Sequence, residues 1–325
     1  MFAFLVRRIA YGAAILIGIN IVTFLLFFQV NSPDDMARLQ LGGKRVTAQA
    51  IQQWKAERGY DRPMFFNERA GGLAKLTDTV FFDSSVRMFA FDFGRADNGR
   101  DIATEVARRA GPSLSLALPV FIVGLGLSVT IALGLAFFRG TYLDFWGVTF
   151  LVAMMSISAL FFIVAGQFVL AKVLQLVPIS GFEGGADSYR FLLLPIAVGV
   201  VSQIGPEARF YRTIFLEEIG RDYVRTARSK GLSEPVVLFR HVLRNALIPI
   251  LTRSVVLIPL LFMGSLITES FFSIPGLGSY LIEAIAAQDF AIVRAMVFIG
   301  SVLYILGLIL TDITYSWADP RIRLQ

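Results

Sequence analysis

The chain has 325 residues, 56% of them hydrophobic and 17% charged, with mean hydropathy +0.68 and a formal net charge of +6. So little charge excludes an ordinary soluble protein of this length, whose surface needs more. The absence of cysteine excludes disulfides and thiolate metal sites. The basic balance suits loops on the cytoplasmic side of a membrane, because no RNP, zinc-finger or helix-turn-helix pattern points to nucleic acid.

A membrane-crossing helix needs about 20 mostly apolar residues. The first such stretch, Ile9–Val30, follows Arg7 and Arg8. It is too long for a cleaved signal core, so a retained helix with a cytoplasmic N-terminus is expected. Residues 31–111 follow as an expected periplasmic cap: Ala48–Arg58 is helix-like, and Gly and Pro breaks recur around it. The cap holds many Arg and Lys together with eleven acidic residues, and a long loop is largely exempt from the positive-charge bias. Ser113–Phe138 and Phe145–Ala171 are charge-free spans. Phe191–Pro206 is apolar up to Glu207 and Arg209, Ala246–Ile267 carries only Arg253, and Ala295–Thr311 ends at Asp312.

The expected fold is therefore an all-α membrane protein of six transmembrane helices. It divides into an N-terminal helix (1–30), a cap (31–111) and a five-helix transmembrane domain (112–325). The loop after the fourth span carries Arg221, Arg225, Arg228, Lys230, Arg240 and Arg244, which places residues 217–245 in the cytoplasm with the N-terminus. Arg321 and Arg323 put the C-terminus on the same side.

Residues 217–245 read as helix, break, helix. Tyr223, Ala227 and Lys230 recur at helical spacing, and Gly231 is a C-terminal cap. Ser233 is a suitable N-cap for a second helix, and Pro235 is tolerated in its first turn. Leu232, Val236 and Phe239 then form one apolar stripe, surrounded by Arg228, Lys230, Arg240 and Arg244. Such a short amphipathic helix fits a groove in a partner protein, and it fits equally an interface with anionic lipid.

Tyr223-Val-Arg-Thr-Ala-Arg-Ser-Lys-Gly231 followed by His241-Val-Leu-Arg-Asn-Ala246 resembles the cytoplasmic loop of dipeptide/oligopeptide-type permeases of binding-protein-dependent ABC importers. Ala227, Gly231 and Leu243 match the general form of that loop across the wider family. Other pieces agree in order: Arg7-Arg8, Gly59-Tyr60-Asp61-Arg62-Pro63, Asp92-Phe93-Gly94, Phe272-Ser273-Ile274-Pro275-Gly276-Leu277-Gly278 and Asp319-Pro320-Arg321. One departs: Asn31-Ser32-Pro33-Asp34-Asp35 stands where the family has a Pro-Gly-Asp-Pro turn.

The resemblance implies a half-pore for peptides or peptide-like solutes, paired with a second permease as a heterodimer and fed by a periplasmic solute-binding protein. Two ATP-binding subunits would carry ATP and Mg, since this chain has no Gly-x-x-x-x-Gly-Lys-Ser/Thr loop and no cofactor or catalytic residue of its own. Coupling to those subunits would run through Tyr223, Ala227, Lys230, Gly231, Leu232, Ser233, Pro235, Val236, Phe239, Arg240 and His241. His241, the only histidine, is structural in this reading, and no metal site is expected. Among polar residues in the spans, Gln167, Gln203 and Glu269 are candidates for the translocation path. Glu207, Arg209 and Arg253 are expected near the span ends, snorkelling or paired with each other. Pro275, Gly276 and Gly278 are candidates for contact with the binding protein. The alternative class is an ion-coupled secondary transporter, which would show inverted repeats and a buried ionisable relay.

Overall fold

The computed structural model describes residues 2–42, 46–183 and 188–318, so the expectations on Asp319-Pro320-Arg321 and Arg323 lie outside the described residues. Fourteen α-helices and no strand are found among the described residues, with short π and 3-10 turns between them. Five helical runs are long and apolar enough to cross a membrane: 6–30, 102–137, 188–219, 234–271 and 290–314. A bent pair brings the number to six. The chain forms two compact units, one of Met1–Arg109 with Tyr280–Ile309, the other of Ala110–Ser279 resuming at Leu310.

The first unit holds α1 (Phe2–Leu25), α2 (Pro33–Gln40), α3 (Ala48–Glu57) and α4 (Ala74–Thr77). The α2 helix starts at the departing Asn31–Asp35 segment for a local reason: the Ser32 hydroxyl caps it by accepting the Asp35 N–H, and Pro33 occupies its first turn. An aromatic core of Phe24, Phe28, Trp54, Tyr60 and Phe81 anchors the cap. Arg58 stacks on Trp54 at 4.4 Å while binding Asp97, and Arg62 pairs with Asp83. The described residues of this segment combine short helices with turns, and the expected end at residue 111 needs correction. Residues 102–111 belong to α5 (Ile102–Phe137), whose charged first turns extend the apolar span.

The second unit takes in the rest of α5 with α6 (Tyr142–Met155), α7 (Ala159–Gly166) and α8 (Ser188–Ile219). The expected span Phe145–Ala171 is not one helix: α6 and α7 bend by 92°. The cause lies at Ser156-Ile157-Ser158. Ser158 leaves helical geometry at φ −64°, ψ 144°, and its hydroxyl accepts the Leu160 N–H to start α7 afresh. Gly205 lets α8 lie against α6, because any Cβ there would stand 2.9 Å from the Leu151 carbonyl oxygen. Arg212 of α8 binds Asp144 of α6 through two hydrogen bonds of 2.9 and 2.7 Å, in a largely buried site. Asp144→Ala would leave that guanidinium uncompensated, a loss of about 3 kcal/mol. Thermal unfolding in detergent should show it, and an unchanged melting curve would refute the role.

The fifth expected span is also broken. After α9 (Asp222–Ser229) and α10 (Glu234–Val236), a π-turn at Val237–Val242 runs without interruption into α11 (Leu243–Val255). Val256 onward passes into a 3-10 turn at Pro259–Met263, then Gly264 at φ +70°, and α12 (Leu266–Phe271) begins. Pro259 supplies no N–H to the helical ladder, and Gly264 takes a backbone angle closed to most residues. The chain ends in α13 (Leu277–Ala287) and α14 (Phe290–Ala318).

Candidate functional site

Helix α9 ends as its sequence foretells. Gly231 has φ +78°, its N–H bonds the Arg228 carbonyl at 2.9 Å, and the Leu232 N–H reaches back to Ala227 at 3.4 Å. This pair of bonds is a Schellman motif, and it turns the chain sharply. Arg228 then closes the turn from outside by binding both carboxylate oxygens of Glu234 at 2.7 and 3.1 Å. Ser233 takes the N-cap backbone geometry without a side-chain cap bond, and Pro235 sits in the first turn.

Beyond the turn, the helix presents two faces. Val237, Leu238 and Val242 are buried in a core with Tyr211, Phe215 and Ile219 of α8 and with Val224 and Ala227 of α9. The opposite stripe is open: Leu232 is 38% exposed, Val236 39% and Phe239 62%. Three large apolar side chains at one edge are held outward by a fully packed reverse face. Lys230, Arg240, Ser233 and Pro235 are exposed beside them, and His241 is half-buried. Ala227 is buried and belongs to the packing, so it positions the surface rather than forming it. Tyr223 donates its hydroxyl proton to Glu218 at 2.5 Å; burial and that bond push the hydroxyl up to about 12, so it remains a donor at neutral pH.

The expected second helix after Ser233 is thus corrected in one respect. It is no separate element but the first turns of a continuous run through the π-turn into α11. The buried anchors Val224, Val237, Leu238 and Val242 were not singled out from the sequence, although Leu238 and Val242 stand one helical turn apart.

The path candidates divide. Gln203 is exposed and lines a cavity of about 500 Å³ together with Ser202, Ser265, Thr268, Val120 and Phe121. Gln167 has its amide committed, donating to the Ile179 and Phe271 carbonyls at 3.1 and 3.2 Å. Glu269 is fully buried. Its carboxyl accepts from Ser113 Oγ at 2.8 Å, Ser265 N at 3.1 Å and Ser279 N at 3.0 Å, while Ser113 Oγ in turn accepts the Leu277 N–H. The Ser265–Ser279 turn is wrapped around this one side chain.

The same clamp corrects two of the three binding-protein candidates. Gly276 and Gly278 are buried: a Cβ at Gly276 would overlap the Glu269 carboxylate, and one at Gly278 would stand 2.7 Å from the Ser265 carbonyl carbon. Pro275 alone is exposed. Arg253 pairs with Glu207 at 3.5 Å and stacks on Phe210 at 3.9 Å, as the paired reading anticipated, and Arg209 lies against the Met155 sulfur. Among the described residues, no group of three or more His, Cys, Asp or Glu could hold a metal.

Comparison with known proteins covers the whole chain. Residues 124–324 match the family described as binding-protein-dependent transport system inner membrane component, and residues 1–70 match its N-terminal membrane component. A Brucella abortus protein provisionally named as a peptide transport system permease is 31% identical over 99% of both chains. The di/tripeptide transport system permease protein of Pseudomonas aeruginosa is 30% identical over the full length of both. The glutathione transport system permease protein of Salmonella typhimurium is 30% identical over 94% of both.

Proposed function

This chain belongs to the family of binding-protein-dependent transport system inner membrane components, and we propose that its Leu232–Val236–Phe239 face is where the ATPase drives it. The chain is a permease subunit of an ABC importer of the peptide-transporting class, a multi-pass inner-membrane protein and not itself an enzyme. Family membership removes the ion-coupled alternative. In such a system, ATPase, solute-binding and second permease subunits work with this chain. The finer assignment, as our reading, is a heterodimer of permeases with two ATP-binding subunits that hold ATP and Mg. Its termini and residues 217–245 lie in the cytoplasm, and residues 31–101 form a cap in the periplasm.

The observation that carries the coupling proposal is the exposed stripe backed by a packed reverse face. A helix held on one side by Val237, Leu238 and Val242 has nothing to gain from presenting Phe239 to water. Seated in a groove of the ATPase, it would be anchored by an aromatic residue and two aliphatics spaced along one edge. Because α10, the π-turn and α11 are continuous, closure of the ATPase would move α11 and, through the shared core, α8. Gln203 on α8 lines the cavity of about 500 Å³, and its neutral amide suits transient contact with a peptide backbone. Pro275 remains a candidate contact for the binding protein, with the cap.

Phe239→Ala provides the test in the assembled importer. Phe239 is 62% exposed, so folding stability should change by no more than about 0.5 kcal/mol. Loss of an aromatic anchor should cost about 2 kcal/mol of docking, an approximately thirtyfold weaker association with the ATPase subunits. Unaltered co-purification and unaltered solute-stimulated ATP hydrolysis would refute the proposal.

A further inference from the structure

The cap carries an apolar surface that ATPase coupling does not use. Within residues 63–81, Phe65 is 51% exposed, Phe66 49%, Leu73 81% and Leu76 58%. The segment is braced from inside. Its ends are tied by the Val80 N–H to the Pro63 carbonyl at 3.1 Å and the Phe81 N–H to the Met64 carbonyl at 3.0 Å. The Asn67 N–H reaches the Lys75 carbonyl at 2.8 Å and joins Phe65-Phe66 to the turn at α4. Arg62 pairs with Asp78, and the Asn67 side-chain amide donates to the same carboxylate. Four large apolar side chains are thus held outward on a fixed frame, where water is a poor neighbour.

Depth decides what covers them. The α1 helix is unbroken from Phe2 to Leu25, and Arg7 and Arg8 mark its charged end. From Arg8 to Phe24 it rises about 24 Å at about 1.5 Å per residue, less than the hydrocarbon thickness of about 30 Å, and tilt only shortens that reach. Phe24 therefore stays inside the apolar layer, in the leaflet far from Arg8. Phe65 and Phe81 of the cap pack edge-on against Phe24, with ring centroids at 5.5 and 5.0 Å, and lie 5.6 Å from each other. Residue 65 is thus at the level of the acyl chains although it belongs to the cap. The cations of the segment suit this level. Arg69 and Lys75 are exposed, and the Lys75 ammonium lies over the Phe66 ring at 5.9 Å, an apolar stem with a charged tip at a membrane boundary.

We propose that residues 63–81 are a lipid anchor, which dips Phe65, Phe66, Leu73 and Leu76 into the leaflet beside α1 while Arg69 and Lys75 meet the phospholipid headgroups. A partner protein could also cover an apolar face, but the packing of Phe65 on Phe24 puts this one where lipid is the solvent. The segment lies on the membrane without crossing it. It gives the cap a second attachment to the bilayer besides α1, and so fixes the height of the cap over the membrane.

The chain has no cysteine, so a single one can be labelled without background. The test is Leu73→Cys carrying a nitroxide, in the assembled importer reconstituted into phosphatidylcholine vesicles, with power saturation measured against oxygen and against a water-soluble nickel chelate. Arg100→Cys, at an exposed cap residue outside the segment, is the aqueous control. At position 73 collisions with oxygen should rise and collisions with the nickel chelate should be lost, relative to position 100. Nickel collisions as frequent at 73 as at 100 would overturn the proposal, because the face would then stand in water. Protection at 73 from both reagents would also overturn it, because the face would then be covered by protein. The readout involves neither solute nor ATP, so its failure would leave the coupling reading intact, and failure of Phe239→Ala would leave this one intact.

Discussion

Glu269→Ala is expected to lower stability by about 3 kcal/mol. The carboxyl takes three hydrogen bonds in a fully buried site, from the Ser265 and Ser279 amides and the Ser113 hydroxyl. Removing it strands three donors that water cannot reach, at about 1 kcal/mol or more each. The effect should appear as a lowered melting temperature in detergent and a loss of transport that no increase in solute restores. A second variant makes the argument specific. In Gly276→Ala the new methyl would overlap the Glu269 carboxylate, so this substitution alone should also be strongly destabilising. In the double variant the methyl enters space that the carboxylate has vacated, and the two losses should add to less than their sum. Strict additivity, or a loss under about 0.5 kcal/mol for Glu269→Ala, would mean that the turn is held by other contacts.

This clamp also shows where sequence reasoning ends. The acid at position 269 stood out as an ionisable group in an apolar run, and a functional reading followed. Its partners could not be seen, because Ser113 is 156 residues away and serine carries no periodic signal. Glycines 276 and 278 looked like an exposed Pro-Gly turn for the same reason: the side chain that requires them to be small lies elsewhere in the chain. By contrast, the turn and the exposed stripe of residues 217–245 were legible, although the continuity into α11 and the buried anchors were not. The Gly231 cap, the second helix and the Leu232–Val236–Phe239 stripe depend on neighbours within a few residues, and local rules govern them.

The spans fall between these cases. Composition located the long apolar stretches but not their breaks, and the short apolar helix Leu277–Ala287 was passed over. Nothing in hydropathy separates Phe145–Ala171 from a straight helix, because Ser156 and Ser158 are tolerated in apolar helices, and only the cap bond to Leu160 reveals that the second serine starts a new one. The fifth span was overread for the opposite reason, since Pro259 and Gly264 lay in plain view and mark the interruption. The resemblance to peptide permeases rested on short motifs in the right order. Those motifs map to places where the backbone is constrained: Gly59, Gly94 and Gly231 all hold positive φ.

Gly231→Val is expected to uncouple the importer while leaving most of its stability in place. An added Cβ would meet no atom within 4 Å, so space does not forbid the substitution. The backbone does: φ +78° is closed to a β-branched residue at a cost of about 2 kcal/mol. The chain can escape that cost by leaving the left-handed region, but the Gly231–Arg228 and Leu232–Ala227 bonds then go with it. Leu232, Val236 and Phe239 would lose their fixed aim relative to α9, while Val237, Leu238 and Val242 keep the helix attached to the core. Solute-stimulated ATP hydrolysis should fall at least about tenfold, the effect of misaiming an anchor worth more than 1.4 kcal/mol. Asparagine visits the left-handed region far more readily than valine, so Gly231→Asn should retain a substantial fraction of the coupling. If valine and asparagine fail equally, a side chain of any kind is blocking the ATPase and the turn geometry is not what matters. If valine couples as well as glycine, the angle set at Gly231 has no part in transmission, and the continuous run from α10 into α11 must carry the movement alone.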